Sequence, residues 1–137
     1  MTRRVAFLGP EGTYTEQAAL VHDPEATFLS FATIPAVASA VDSGLADQGV
    51  VPIENSLEGP VTFTLDLLIH ESTLFIRHEL VLPIQHCLMA QPETKPEDIK
   101  VIYSHPQALA QCRSFLEEYY SQAELVASLS TSAAVEE

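Results

Sequence analysis

The stretch RVAFLGPEGTYTEQAALVH, Arg4 to His22, runs from a short β-rich segment through Gly9 and Pro10 into a helical pattern, and that succession decides how the rest of the chain is read. Thr13, with Glu16 three positions later, has the capping-box spacing that opens a helix, which the pattern carries from about Tyr14 to His22. A strand followed at once by a helix is the unit from which parallel sheets are built.

The same succession recurs downstream. Thr27 to Phe31 reads as a second strand, and Ile34 to Ser43 as a helix with Pro35 in its first turn and Gly44 as its stop. Gln48 to Ile53 reads as a buried strand. Pro60 then takes the first-turn position of a helix over Val61 to Glu71, where Val61, Leu65, Leu68 and Ile69 recur at helical spacing. Leu74 to Leu88 is β-rich but broken by Pro83, which predicts a crossing segment and a new strand near Ile84 to Met89. After the polar loop Gln91 to Lys95 come a helical turn at Pro96 to Ile99 and a strand at Lys100 to Tyr103. A helix over Pro106 to Tyr120, a strand over Leu125 to Leu129 and a helix from about Thr131 complete the reading. The fold class expected is α/β, with mostly parallel sheets flanked by helices. Two lobes are expected, the first over about residues 1–78 and a partial second over about 79–137, joined near 77–83.

Composition narrows the function classes. The 137 residues, 47% of them hydrophobic, suffice for one domain or two small lobes. Six basic and 19 acidic side chains leave a net charge of −13, and Arg3 and Arg4 form the one basic pair, so nucleic acid and anionic membrane surfaces are excluded as partners. With no run of about 18 apolar residues and no leader-like start, a cytoplasmic protein is expected. Cys87 and Cys112 form no CxxC pair and read as buried reduced thiols. His22, His70, His78 and His86 lack the spacing of a helical metal site, although His78 and His86 would meet if their segments paired; no metal is expected.

Parallel sheets bind ligands beyond the carboxyl ends of their strands. Four such ends carry small polar residues ahead of a helix: Gly12 and Thr13, Asn55 and Ser56, Ser104 and His105, and Ser130 to Ser132. Helix starts offer unpaired N–H groups and the positive end of the helix dipole, so anions can be held there by a chain short of cations. Thr13, Ser104 and Thr131 are equally readable as simple helix caps. Asn55 is less so, since Glu54, Asn55 and Ser56 followed by Leu57, Glu58 and Gly59 hold more polar groups than a cap needs. Of the nearby acids, Glu54 reads as having a structural partner and Glu58 as solvated. On the helix after Pro106, Gln107, Gln111, Ser114 and Glu118 share a polar stripe that solvent alone would explain, opposite Leu109, Cys112, Leu116 and Tyr119.

Taken together, GPEGTYTEQAAL, VVPIENSLEGPVTFTLDLL, LPIQHCL, SHPQALAQC and the trailing STSAA resemble the prephenate dehydratase family, in the same order and at similar spacing. The resemblance covers nearly the whole chain; ENS followed by EG, with SHPQALAQC about fifty residues later, carries most of it. It implies a two-lobed catalytic domain like the type II periplasmic binding proteins, with the site in the cleft. The reaction implied is conversion of prephenate to phenylpyruvate with loss of water and carbon dioxide, on the route to phenylalanine, without a cofactor. Asn55, Ser104, Gln111 and Glu54 are then the expected catalytic residues, and Thr13, Gly12, Ser56 and His105 the expected substrate-binding ones. Prephenate is the implied small dianionic partner, and a homo-oligomer, dimer or tetramer, is expected. The family also carries a TRF-type motif downstream of STSAA and commonly an ACT regulatory domain. Neither occurs in these residues, so the expectation is an N-terminal portion of the enzyme, with an unfinished second lobe and uncertain activity of its own. A small-molecule anion-binding module without chemistry, or a fragment that pairs with another copy, are the readings set against it.

Overall fold

The computed structural model describes residues 2–56 and 59–137. These divide into two compact units, residues 1–83 and 84–137. In the first, β1 (Arg4–Leu8), α1 (Tyr14–His22), β2 (Thr27–Phe31), α2 (Ile34–Asp42) and β3 (Gln48–Val50) follow in the order expected. All three strands are parallel in the spatial order β2-β1-β3, so β1 is the centre.

The reason β1 sits there is its sequence. Val5, Ala6 and Phe7 are 0%, 0% and 1% exposed, a run apolar on both faces as a central parallel strand requires. Side chains alternate across a strand, so the two faces feed separate cores. Ala6 packs with Val37, Ala40 and Ala46 under α2, while Val5 and Phe7 pack with Ala19 of α1. Full burial of a Val or Phe side chain stabilises by about 1.5–3 kcal/mol, which makes this strand the anchor of the unit. Two close approaches fix the spacing. A Cβ on Gly49 would stand 2.9 Å from Val37 Cγ1, and one on Gly9 would stand 2.0 Å from Ser30 Oγ. Glycine lets α2 lie against β3 and lets the chain leaving β1 pass over the end of β2.

Beyond Val50 the expected course changes. The strand read over Gln48 to Ile53 ends at Val50 and is half-buried at its ends, and Ile53 is exposed. Glu54–Asn55 (β4) and Gly59–Pro60 (β5) pair antiparallel as a small hairpin, with Asn55 opposite Gly59. Pro60 is thus a strand residue and not the first turn of a helix; Val61 caps α3 (Thr62–Asp66), which widens into a π-helical turn at Leu67–Glu71. The widening follows a change of bonding, since the Ser72 N–H returns to the Leu67 carbonyl, five residues back.

The β-rich stretch Leu74 to Leu88 forms no strand. Residues 72–91 run without helix or ladder bonds, and Phe75, Ile76, Val81 and Met89 are exposed. β-propensity measures fit against a neighbouring strand, and none of the described residues supplies one here. In the second unit β6 (Val101–Ser104) and β7 (Glu124–Ala127) form a parallel pair. The single helix expected between them is two, α4 (Pro106–Gln111) and α5 (Arg113–Tyr119), because Cys112 opens to φ −94° and ψ 6°. A last turn, α6 (Thr131–Ala134), follows β7. Both cysteines are free, but Cys87 is exposed and Cys112 partly so, in place of the burial expected. Among the described residues no helix is long and apolar enough to cross a membrane.

Candidate active site

The strand order of the first unit places the candidate residues. The chain steps from β1 to β2 on one side, then returns so that β3 lies on the other side of β1, with α1 and α2 on opposite faces. Sheets of this kind open a crevice beyond the carboxyl ends of the two strands that flank the reversal. Here those strands are β1 and β3, paired in parallel with Phe7 opposite Val50. Gly12 and Thr13 follow the first, and Glu54, Asn55 and Ser56 the second, so both groups belong to the same end of the sheet. In the second unit Ser104 ends β6 and His105 starts α4, while Ser130 to Ser132 follow the parallel β7.

Geometry separates caps from candidates. Thr13 is a cap: its hydroxyl accepts from the Glu16 N–H at 3.3 Å and donates to the Leu8 carbonyl at 3.4 Å. The Glu16 carboxylate closes the box by accepting from the Gly12 N–H, so the backbone donor expected to meet a ligand anion already holds an internal one. Ser104 and Thr131 are not caps. His105 caps α4 by accepting the Gln107 N–H on Nδ1 at 3.2 Å, and Ser130 caps α6 by accepting the Ala133 N–H on its hydroxyl at 2.9 Å. Ser104 instead ends its strand half-buried, with its carbonyl taken by the Ser128 N–H at 2.9 Å.

Asn55 is half-buried in β4, and Ser56 beside it is exposed. Glu54 is exposed, and its side chain makes no hydrogen bond or ion pair among the described residues. Leu57 and Glu58, the latter read as solvated, lie outside the described residues. Gln111 ends α4 half-buried, with its carbonyl oxygen hydrogen-bonded to His86 Nε2, so the solvated polar stripe does not describe it. The His78 ring lies 5.0 Å from that of His22, which in turn bonds Gln48 at 2.7 Å. No three His, Cys, Asp or Glu side chains gather as a metal site among the described residues.

Two supporting residues escaped the sequence reading. Thr64 is fully buried in α3, and its hydroxyl donates to the Pro52 carbonyl at 2.6 Å, pinning the backbone just before Glu54. A hydroxyl at helical spacing between Val61 and Leu68 was the available signal. His86 lies inside LPIQHCL, and only the fold shows that it meets Gln111.

The comparisons with known proteins bear on the family and the fold. The prephenate dehydratase family profile matches residues 5–137. A prephenate dehydratase of Lactococcus lactis subsp. cremoris is 42% identical over 133 residues, which span 97% of this chain and 47% of that protein. A bifunctional chorismate mutase/prephenate dehydratase of Pseudomonas aeruginosa is 46% identical over 125 residues, spanning 90% of this chain and 34% of that one. Among solved structures, a prephenate dehydratase from Arthrobacter aurescens in complex with L-Phe superposes with a TM-score of 0.89 at 38% identity, covering 97% of this chain and 45% of that one. The chain thus spans less than half the length of each of these proteins. With the motifs in order, the α/β sheets in place and the match running from Val5 to the last residue, the chain belongs to the prephenate dehydratase family.

Proposed function

We propose that the protein is a prephenate dehydratase of phenylalanine biosynthesis, and that this chain supplies part of its catalytic apparatus. The observation that carries the reading is the position of Gly12, Thr13 and Asn55 beyond the two strands that flank the reversal in the sheet, in a chain of this family. The substrate is prephenate. Its hydroxyl accepts a proton and leaves as water, while the bond to the ring carboxylate breaks and its electron pair completes the aromatic ring, releasing carbon dioxide. Atoms and electrons balance without a redox partner, and aromaticity supplies much of the driving force.

The protein's task is to hold two carboxylates and assist one departure. The amides of Asn55 and Gln111 and the hydroxyl of Ser104 are neutral donors suited to these tasks, and Glu54 is a further proposed catalytic residue. Gly12, Thr13 and Ser56 in the first unit and His105 in the second are the proposed substrate-binding residues. Because the Gly12 N–H already serves Glu16, a substrate carboxylate reaching it displaces that side chain. The reading extends to a cytoplasmic homo-oligomer, dimer or tetramer, which sedimentation velocity would register.

The test is phenylpyruvate formation from prephenate by the purified chain, against the uncatalysed background. A rate proportional to protein concentration is expected. Background formation alone, at every protein concentration, would remove the activity from this chain.

A further inference from the structure

Gln111 carries a carboxamide, whose two ends have opposite character: an oxygen that accepts and an NH2 group that donates. Which end faces a ligand decides whether the side chain attracts an anion or repels it. In this structure the oxygen is engaged. Gln111 Oε1 bonds His86 Nε2, both side chains are half-buried, and the Gln111 NH2 group donates to none of the described residues.

Because Oε1 has no proton, the imidazole must donate through Nε2–H, which it does as the neutral Nε2–H tautomer and as imidazolium alike. Rotation of the amide by half a turn would set NH2 against N–H and lose the bond. With its proton on Nε2, the ring selects one of the two faces of an otherwise symmetric-looking group. His86 comes from the stretch over residues 72–91 that has no ladder or helix bonds, so the contact also ties that stretch to α4.

We infer that His86 is a positioning residue, which fixes Gln111 so that its amide protons, and not its oxygen, are offered to a carboxylate of the substrate. This rests on the dehydratase reading for the identity of the substrate, but the bond and the orientation stand apart from it. His86 touches no reacting atom; it acts through Gln111.

Four variants of the full chain test this: His86→Leu, His86→Gln, Gln111→Ala and the double variant His86→Leu with Gln111→Ala. The Leu change removes the donor, whereas a glutamine carries an N–H near the place of the imidazole Nε2. His86→Leu is expected to lower kcat/KM for prephenate at least about tenfold without lowering Tm, and His86→Gln to recover it to within about threefold of the parent. Added to Gln111→Ala, the Leu change is expected to cost nothing more, as for two residues acting as one unit. Undiminished activity in His86→Leu, or losses that multiply in the double variant, would overturn the inference. Long-range nitrogen-proton NMR of the imidazoles gives a readout independent of turnover: a protected Nε2–H proton at His86 that disappears in Gln111→Ala. If the parent chain makes no phenylpyruvate, activity is withdrawn from this chain and the NMR signal alone decides; its persistence in Gln111→Ala sinks the positioning role.

Discussion

Thr64 serves the structure beside Asn55, the proposed catalytic amide. The Thr64 hydroxyl is wholly buried and bonded to the Pro52 carbonyl, so replacing it with valine keeps the shape and leaves that carbonyl without its donor. Thr64→Val is expected to lower unfolding stability by about 1–3 kcal/mol, the cost of an unmet buried polar group, as read from chemical denaturation midpoints. A value near zero would mean that water replaces the hydroxyl. Asn55 stands two residues beyond the segment that Thr64 pins. In an active preparation Asn55→Ala is expected to lower turnover at least tenfold, about 1.4 kcal/mol of transition-state stabilisation, with Tm little changed. An unfolded variant, or one of equal activity, would make Asn55 a hairpin residue and no more.

At the scale of elements, pairing is secured where charges back it. Arg4 at the start of β1 donates from its backbone N–H and its guanidinium to the Asp47 carboxylate, at 2.8, 3.3 and 3.0 Å, and the Asp47 N–H returns to the Arg4 carbonyl at 2.9 Å. Hydrogen bonds from the Arg4 side chain, then from its backbone, hold the Asp47 carboxyl below its ordinary value. A depressed carboxylate contributes stability that is present above its unfolded pKa of about 3.9 and is lost as pH falls through the folded value. Asp47→Asn is therefore expected to destabilise the chain at neutral pH, modestly because the pair is exposed, with the difference from the parent vanishing in acid. A difference that grew toward low pH would contradict the assignment.

The elements legible in the sequence were those specified locally. β1, α1, β2 and α2 were readable because Thr13, Pro35 and Gly44 mark ends by chemistry that needs no distant partner. The hairpin of β4 and β5 was not, since two-residue strands leave no periodicity. Nor was the opening at Cys112, because the apolar spacing of Leu109 and Leu116 counts residues and is blind to one altered ψ. The strand expected near Ile84 to Met89 failed for lack of a neighbour among the described residues. At the candidate site the residue types were legible and their bonding was not: nothing local tells that Glu16 reaches Gly12, or that His86 reaches Gln111.

For the molecule as a whole, charge sets the terms on which a ligand arrives. A net charge of −13 repels a dianion at long range, and Arg3, Arg4 and Arg113 already have carboxylate partners in Asp23, Asp47 and Glu117. Short-range neutral donors then carry a larger share of the proposed binding, and a dianion's approach is slowed by a field that salt screens. Raising ionic strength from about 0.01 to 0.15 M, which shortens the screening length from about 30 to 8 Å, is expected to raise kcat/KM for prephenate. A fall would reveal a local positive field strong enough to outweigh the total.

The central place of β1 has a consequence in time. Ribosomes make this strand before either of its neighbours, the second of which is complete only when Val50 has been added. At roughly 5–20 residues per second, the nascent chain carries Val5, Ala6 and Phe7 uncovered for several seconds. The segment that anchors the finished unit is the one most open to capture by other chains while the protein is being born.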